Sequence, residues 1–192
     1  VLQPQVGTLA LSLAGEPLVA HVIRRLQPQV VEVLIGANRN LDAYRRFGCR
    51  VIQDGERERF QGPLAGVLAA MLAAGTRYLL TTPCDSPWLP PDYAQRMRQA
   101  LEHQRADLAV AFFKGFWQPM FALVPVALWD DLASYLAGGE GSATRWLQRH
   151  RPAPVEFPDE SALFDNVNTP ADLSRLESAW AIASCSSPEG RL

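Results

Sequence analysis

The sequence predicts an α/β fold with three layers, in which helices cover both faces of one mostly parallel sheet. Short apolar or β-branched runs, which are typical of strands, alternate with stretches whose apolar residues recur every three to four positions, which are typical of helices. The chain has 192 residues, of which 48% are hydrophobic and 20% charged. This size and composition favour one globular domain with a full core. We expect that domain over residues 1–183 and a small, polar, disordered tail over 184–192.

In the first half of the chain, strands are predicted where apolar residues alternate or β-branched residues run together. Helices are predicted where proline or glycine opens a stretch of helical periodicity. The predicted strands cover residues 9–13, 30–36 and 49–52, and the predicted helices cover 17–26, 41–47 and 62–75.

In the second half, prolines at 91, 125 and 170 mark helix starts, and Ser142 is a candidate cap. Gly138-Gly139 is a natural stop between two helices. The predicted strands cover residues 78–82, 107–113, 120–124 and 155–157, and the predicted helices cover 91–103, 125–136, 142–150 and 171–183.

The most informative stretch is residues 78–87, an apolar run that ends at a carboxylate, Asp85. Pro83 and Pro87 bracket this residue, so we expect strand pairing to stop there. In open α/β sheets ligands bind beyond the carboxyl ends of the strands, and a carboxylate in that place suits Mg²⁺. The alternative is a turn aspartate that hydrogen-bonds its own backbone.

Other polar residues are predicted at the same edge of the sheet. Asn38 follows one strand and Asp54 follows the next, while Asn166 and Asn168 precede the last helix. The glycine segment, residues 62–66, would direct backbone N–H groups and a helix N-terminus toward an anion. Each of these residues has an ordinary turn role as its alternative, and it is their joint placement on one edge that favours a site.

Composition argues against several other classes of function. A net charge of −2 and a pI of about 5.9 provide no basic field for nucleic acid, so we expect no nucleic-acid partner. No apolar run is long enough to cross a membrane. The three cysteines lack metal-ligand spacing and are interpreted as free thiols in a reducing compartment, the cytoplasm. The histidines and serines form no recognised nucleophilic motif.

Several motifs occur together and in a characteristic order. They are Gly15-Glu16-Pro17-Leu18, Ala37-Asn38-Arg39, Gly62-Pro63-Leu64-Ala65-Gly66, Pro83-Cys84-Asp85-Ser86-Pro87, Gln118-Pro119 and Asn166-Val167-Asn168-Thr169-Pro170. In this combination the chain resembles the molybdenum cofactor guanylyltransferases from about residue 6 to residue 179. The resemblance implies a Rossmann-like nucleotidyltransferase fold.

The resemblance also implies an activity: GMP passes from GTP to molybdopterin cofactor and pyrophosphate leaves, which gives the guanine dinucleotide form of the cofactor. It implies that Asp85 is the catalytic residue that binds Mg²⁺ beside the phosphates. The implied nucleotide contacts are Thr8, Gly36, Asn38, Asp54, Gly62, Pro63, Leu64, Gly66 and Asp85, and the implied pterin-side residues are Gln118, Pro119, Asn166 and Asn168.

The amino-terminal part departs from the family pattern. The family opens with a strand, a glycine loop and a triphosphate-binding lysine, and the lysine position falls at Thr8 in this chain. The chain has no lysine before Lys114. Either the strand and loop are missing from this sequence or the protein lacks them.

Other functions fit the same residues. One is the CTP-dependent sister activity, and a sugar-phosphate nucleotidyltransferase of the same fold is another. A non-catalytic module that binds nucleotide or cofactor is consistent with the absent lysine. A partner that hands cofactor to other proteins could use the aromatic segment around residues 112–117, and we expect at most transient contact with such proteins.

Overall fold

The computed structural model describes residues 2–3, 12–55, 62–157 and 161–164, and the single positions 172, 174 and 177. The strands in these ranges are β1 Leu2–Gln3, β2 Ser12–Leu13, β3 Glu16–Pro17, β4 Leu34–Gly36, β5 Arg50–Ile52, β6 Tyr78–Leu80, β7 Thr82–Pro83, β8 Leu108–Phe113, β9 Phe116–Pro125 and β10 Pro152–Glu156. The α-helices are α1 Leu18–Leu26, α2 Leu41–Arg45, α3 Pro63–Ala73, α4 Tyr93–His103, α5 Trp129–Ala137 and α6 Ala143–Gln148.

The main sheet has two halves that meet at one residue. The strand order is β5-β4-β1-β7 in the first half and β10-β8-β9-β6 in the second. Thr81 connects β6 to β7, and its amide donates a hydrogen bond of 2.8 Å to the carbonyl of Ala122 on β9. The first half is wholly parallel, and in the second half only β9 runs antiparallel to its neighbours. The sheet is therefore mostly parallel, as predicted.

Helices pack on both faces of this sheet and give the three layers. One core cluster joins α1 and α4 to the sheet through residues such as Val22 and Met97. The second joins α3, α5 and α6 to the opposite face through residues such as Val67, Leu136 and Trp146. The α/β prediction is confirmed.

Several element boundaries differ from the sequence expectation. The predicted strand at 30–36 begins only at Leu34, and Val31 is 93% exposed despite its β-branched neighbours. The strand expected at 120–124 is much longer, because β9 starts at the turn that follows β8. The helix expected from Pro125 begins as a 3₁₀ turn over Val126–Leu128.

Two further differences concern the centre of the sheet. No strand was expected at Leu2–Gln3, yet β1 lies between β4 and β7. Pairing stops at Pro83 as expected, but the predicted strand ends one residue earlier, at 82, whereas Pro83 still pairs with Gln3 as the last position of β7. Because proline has no amide hydrogen, a proline at the end of a strand removes only the last hydrogen bond of the ladder. The helix predicted over 171–183 lies largely outside the described residues.

None of the helices in the described ranges has the length and apolarity needed to cross a membrane.

Candidate active site

Parallel pairing brings three polar turns to one edge of the sheet. Leu2 pairs with both Ile35 and Thr82, and Gly36 pairs with Ile52, so the strands end nearly level. Asn38, Asp54 and Asp85 each come two residues after the end of a strand, at β4, β5 and β7. This is the edge where open α/β sheets bind ligands.

Asn38 and Asp54 form a reciprocal pair at this edge. The Asn38 side-chain amide donates to Asp54 Oδ2 at 2.6 Å, and the Asp54 backbone amide donates to Asn38 Oδ1 at 3.0 Å. Both residues are partly buried. The two bonds connect the turns after β4 and β5 and fix the direction of the Asp54 carboxylate. Asn38 keeps one N–H and one acceptor lone pair for a ligand.

Asp85 is the unusual group of the site. Its exposed fraction is 2%, and its Oδ1 has no hydrogen-bond partner among the described residues. No cation in those parts of the chain forms an ion pair with it. Burial raises the pKa of the Asp85 carboxyl, opposed by a hydrogen bond with its own backbone. A buried carboxylate without compensation is costly, so this site is suited to a cation that arrives with a ligand.

The residues around Asp85 fit a hard metal ion that has few protein ligands. No cluster of three or more histidine, cysteine, aspartate or glutamate side chains occurs in the described ranges. Mg²⁺ is commonly held by one or two carboxylates while water and substrate phosphates supply the remaining ligands. A single unpartnered carboxylate oxygen therefore matches Mg²⁺ better than Zn²⁺, which takes a full set of nitrogen or sulfur ligands.

The glycine segment forms the start of α3. Gly62 has φ +89°, a left-handed conformation that favours glycine, and Pro63 is the first helical residue. Within the described part of the chain, no side chain caps this helix. Leu64 and Gly66 are buried and face inward. The helix start can therefore offer backbone N–H groups to a ligand while its side chains anchor it to the core.

Gln118 and Pro119 lie on β9, next to an irregularity in the pairing with β8. Val110 pairs with Ala122, whereas the next residue, Ala111, pairs with Gln118. The intervening residues of β9, which include Pro119, bulge out of the ladder, as proline without an amide hydrogen allows. Because β9 is antiparallel to β6, its amino-terminal end lies at the same edge as Asp85.

The structure brings Gly36, Asn38, Asp54 and Asp85 to one edge of the parallel half, and the glycine segment opens the neighbouring helix. Thr8, Asn166 and Asn168 lie outside the described residues. Ser86 was not among the predicted site residues, yet it is fully buried and its Oγ lacks a hydrogen-bond partner within the described ranges. Its only signal was its position next to Asp85.

The two thiols in the described ranges, Cys49 and Cys84, do not contribute a nucleophile to this edge. Cys84 is fully buried, and burial raises its pKa well above the ordinary value. Burial also raises the pKa of Cys49. Both thiols therefore stay protonated near neutral pH, and a thiolate is the form that attacks.

The chain is similar in sequence to known nucleotidyltransferases. A family profile described as "MobA-like NTP transferase domain" matches residues 9–154. The chain is 44% identical over 167 residues to a molybdenum cofactor guanylyltransferase of Shewanella amazonensis, covering 87% of this chain and 85% of the relative. It is 45% identical over 173 residues to one from Burkholderia ambifaria, covering 85% and 83%.

Solved structures show the same fold. Molybdopterin-guanine dinucleotide biosynthesis protein A from Archaeoglobus fulgidus superposes with a TM-score of 0.77 at 20% identity, covering 94% of this chain and 98% of that one. The 2-C-methyl-D-erythritol 4-phosphate cytidylyltransferase of Thermus thermophilus gives 0.71 at 18% identity, with coverage of 94% and 98%. The predicted nucleotidyltransferase fold is confirmed.

The raised pKa of Asp85 predicts a stability change in metal-free solution. Because the folded-state pKa exceeds the unfolded one, the free energy of unfolding falls as pH rises through the window between them. Asp85→Asn has no proton to lose, so the variant should be more stable than the parent at pH 7. That advantage should vanish below the unfolded pKa, about 3.9. Urea unfolding in EDTA from pH 3 to pH 8 measures both effects.

The control for this prediction is Asp42→Asn, since the Asp42 side chain is 89% exposed. Its exposed ion pair with Arg45 contributes little to stability, so this variant should change the pH dependence of unfolding far less than Asp85→Asn does. If Asp85→Asn were less stable than the parent at pH 7, the carboxylate would have a favourable partner and this interpretation of its burial would be wrong.

Proposed function

Because the chain belongs to the MobA-like NTP transferase family, we propose that it transfers GMP from GTP to molybdopterin cofactor and releases pyrophosphate. The observation that carries this proposal is the 44–45% identity to molybdenum cofactor guanylyltransferases over more than four fifths of the chain. The buried, unpartnered carboxylate at the ligand-binding edge of the sheet supports the same reaction.

The reaction suits a site without a strong general base. In this scheme an oxygen of the acceptor's terminal phosphate attacks the α-phosphorus of GTP in line, and the bond to pyrophosphate breaks. The attacking oxygen is already anionic, so the protein's contribution is to position the reactants and to neutralise charge. This agrees with an edge whose described groups are the carboxylates of Asp54 and Asp85, the side-chain amide of Asn38 and backbone N–H groups.

Asp85 is the residue that we propose holds Mg²⁺. When bound, the ion would supply positive charge to the phosphate oxygens and the leaving pyrophosphate. Burial of Asp85 keeps water away from the carboxylate and strengthens its attraction for a cation. Ser86, buried beside it with an unused hydroxyl, would serve as a further polar contact.

We propose that the turns and the glycine segment hold the nucleotide. Asn38 keeps Asp54 oriented, and the pair together with Gly36 would contact the nucleotide from the side of β4 and β5. The start of α3 would lie along the base and ribose. The proposed nucleotide contacts are thus Gly36, Asn38, Asp54, Gly62, Pro63, Leu64, Gly66 and Asp85, with Thr8 assigned by the family resemblance alone.

The pterin side of the site is assigned to Gln118, Pro119, Asn166 and Asn168. The position of Gln118 and Pro119 on the strand next to β6, at the same edge, supports two of these assignments. Asn166 and Asn168 depend on the resemblance. Side-chain amides donate and accept without charge, which suits a heteroaromatic ring.

One observation favours a second candidate, a module that binds nucleotide without turnover. Thr8 stands where the family resemblance places a triphosphate-binding lysine, and no lysine occurs before Lys114. Loss of one charge stabiliser can cost on the order of 10²–10³ in rate. GTP binding with no product would distinguish this candidate from the enzyme.

We assign the protein to the cytoplasm, where unpaired thiols such as Cys49 and Cys84 persist. The proposed partners are GTP and molybdopterin cofactor. Brief contact with proteins that deliver or receive the cofactor would follow from this role.

The activity is tested by incubating the purified chain with molybdopterin cofactor, Mg²⁺ and either GTP or CTP. We expect pyrophosphate release that requires the acceptor and prefers GTP. Asp85→Asn should lower kcat by roughly 10²–10³, because it removes a charge that acts in the transition state. Asp42→Asn, at an exposed helix position, is the matched control and should keep parental rates. A preference for CTP would show that the protein has the CTP-dependent sister activity instead. Full activity of Asp85→Asn would contradict the proposed metal role of Asp85.

A second measurement separates the two substrate sides. Gln118→Ala should raise the KM for molybdopterin cofactor roughly fivefold, the value of one hydrogen bond of about 1 kcal/mol, and leave the KM for GTP unchanged. Gln104→Ala, at an exposed position after α4, is the control. An equal loss for both substrates would show that Gln118 supports the structure or reaches the nucleotide.

A further inference from the structure

An exposed aromatic ring, that of Phe116, stands at the tip of the hairpin formed by β8 and β9. Its exposed fraction is 72%. Because β6 and β8 both run antiparallel to β9, this tip lies at the edge of the sheet that carries Asp85. A single exposed apolar residue is common on protein surfaces, so the case for a ligand depends on what surrounds the ring.

The other three aromatic rings of the hairpin already have partners. Phe112 and Trp117 contact each other edge to face, with ring centroids 5.1 Å apart. Phe113 stacks on Phe164, with centroids 4.7 Å apart. Phe116 makes no ring contact of this kind within the described ranges, and its exposure leaves the ring open to a ligand.

The turn that presents Phe116 is tight. Its two central residues, Lys114 and Gly115, have φ +49° and +84°. Positive φ at both positions is typical of a type I′ hairpin turn, whose twist matches that of the flanking strands. Phe113 and Phe116 pair directly across it. A ligand that stacks on Phe116 therefore meets a ring whose backbone is already fixed, which lowers the entropy lost on binding.

The pairing register places Phe116 about level with Asp85. Leu123 on β9 pairs with Leu80 on one side and with Ala109 on the other. Phe116 pairs with the β8 residue four positions beyond Ala109, and Asp85 stands five positions beyond Leu80. The exposed ring and the buried carboxylate are thus at similar heights on neighbouring strands.

The strand order also separates this ring from the proposed nucleotide contacts. Asn38 and Asp54 follow β4 and β5, which lie on one side of β7. The hairpin lies on the other side, because β6 leads into β7 and pairs with β9. In an in-line transfer the attacking oxygen approaches the phosphorus from the side opposite the leaving group. A nucleotide held at β4 and β5 leaves the hairpin side for the acceptor.

The hairpin offers two kinds of contact that a flat heteroaromatic ring needs. Aromatic side chains stack on the faces of such rings, as they do on nucleobases. Gln118 is two positions from Phe116 and therefore lies on the same face of β9. Its side-chain amide can donate to and accept from the polar edge of the ring.

We propose that Phe116 is a specificity residue of the acceptor site and that its ring stacks on the pterin of molybdopterin cofactor. The identity of the acceptor in this inference rests on the proposed function. Stacking selects a flat ring system over a sugar phosphate, which has no π-face. Phe116 would thus contribute to the choice of acceptor, while Asp85 serves the transfer itself.

The test measures pterin binding without turnover. Binding of pterin-6-carboxylate is followed by quenching of its fluorescence in the parent chain and in Phe116→Ala, Phe116→Leu and Phe116→Trp. Leucine keeps apolar bulk without a π-face, whereas tryptophan keeps the π-face. GTP affinity of each protein is measured by calorimetry.

The matched control is Trp129→Ala, which removes an exposed aromatic ring from the opposite edge of the sheet. Trp129 is 43% exposed and begins α5. It stands three positions after Val126, whose amide donates a hydrogen bond of 2.9 Å to the carbonyl of Arg77, just before β6. This control tests whether loss of any exposed aromatic ring weakens pterin binding.

We expect the Kd for pterin-6-carboxylate to rise roughly tenfold in Phe116→Ala and Phe116→Leu. It should stay near the parent value in Phe116→Trp and Trp129→Ala, and GTP affinity should be unchanged in all variants. Parental pterin binding by Phe116→Ala or Phe116→Leu, or no binding by the parent at millimolar pterin, would overturn the proposal. An equal loss of GTP affinity would overturn the assignment to the acceptor.

The outcome is distinguishable from a failure of the proposed function. Pterin binding that depends on Phe116, found in a chain that releases no pyrophosphate, would refute the proposed transfer and still support the stacking role of Phe116.

Discussion

Parallel pairing of β4, β1 and β7 is the constraint on which the candidate site depends. Leu2 is the only described residue that pairs with both β4 and β7, and this register aligns the carboxyl ends of strands that are far apart in the sequence. The turns after β4 and β5 then place Asn38 and Asp54 beside each other. Asp85 follows β7, which is separated from β4 by β1. The polar groups of the candidate site thus come from three separate segments of the chain, and strand pairing brings those segments to one edge.

The site combines satisfied and unsatisfied polar groups. Asn38 and Asp54 satisfy each other through two hydrogen bonds and stiffen their turns at little cost. Asp85 is buried and has one oxygen without a partner among the described residues, so it lowers stability when it is ionised. Natural proteins accept such a cost where it serves binding or catalysis. The buried charge that lacks compensation in the site therefore lies on Asp85, the residue that we propose holds the metal.

Local chemistry made part of this arrangement predictable. Gly62 and Pro63 mark the start of α3, Ser142 caps α6, and the apolar run before Asp85 predicts a strand that ends at the ligand edge. The bonds between Asn38 and Asp54 were not predictable, since they join turns 16 positions apart that only tertiary structure brings together. The bulge at Pro119 and the two-residue strand β1 likewise depend on the pairing of neighbouring strands. Thr8, Asn166 and Asn168 remain predictions from the resemblance.

The most direct measurement of the central claim is calorimetric titration of the chain with GTP, in Mg²⁺ and in EDTA, beside Asp85→Asn. The claim is that this edge binds nucleotide through a metal on Asp85. We predict binding that requires Mg²⁺, prefers GTP to CTP and is lost or strongly weakened in Asp85→Asn. Affinity that is unchanged by EDTA or by the substitution would contradict the claim and place the nucleotide elsewhere on the protein.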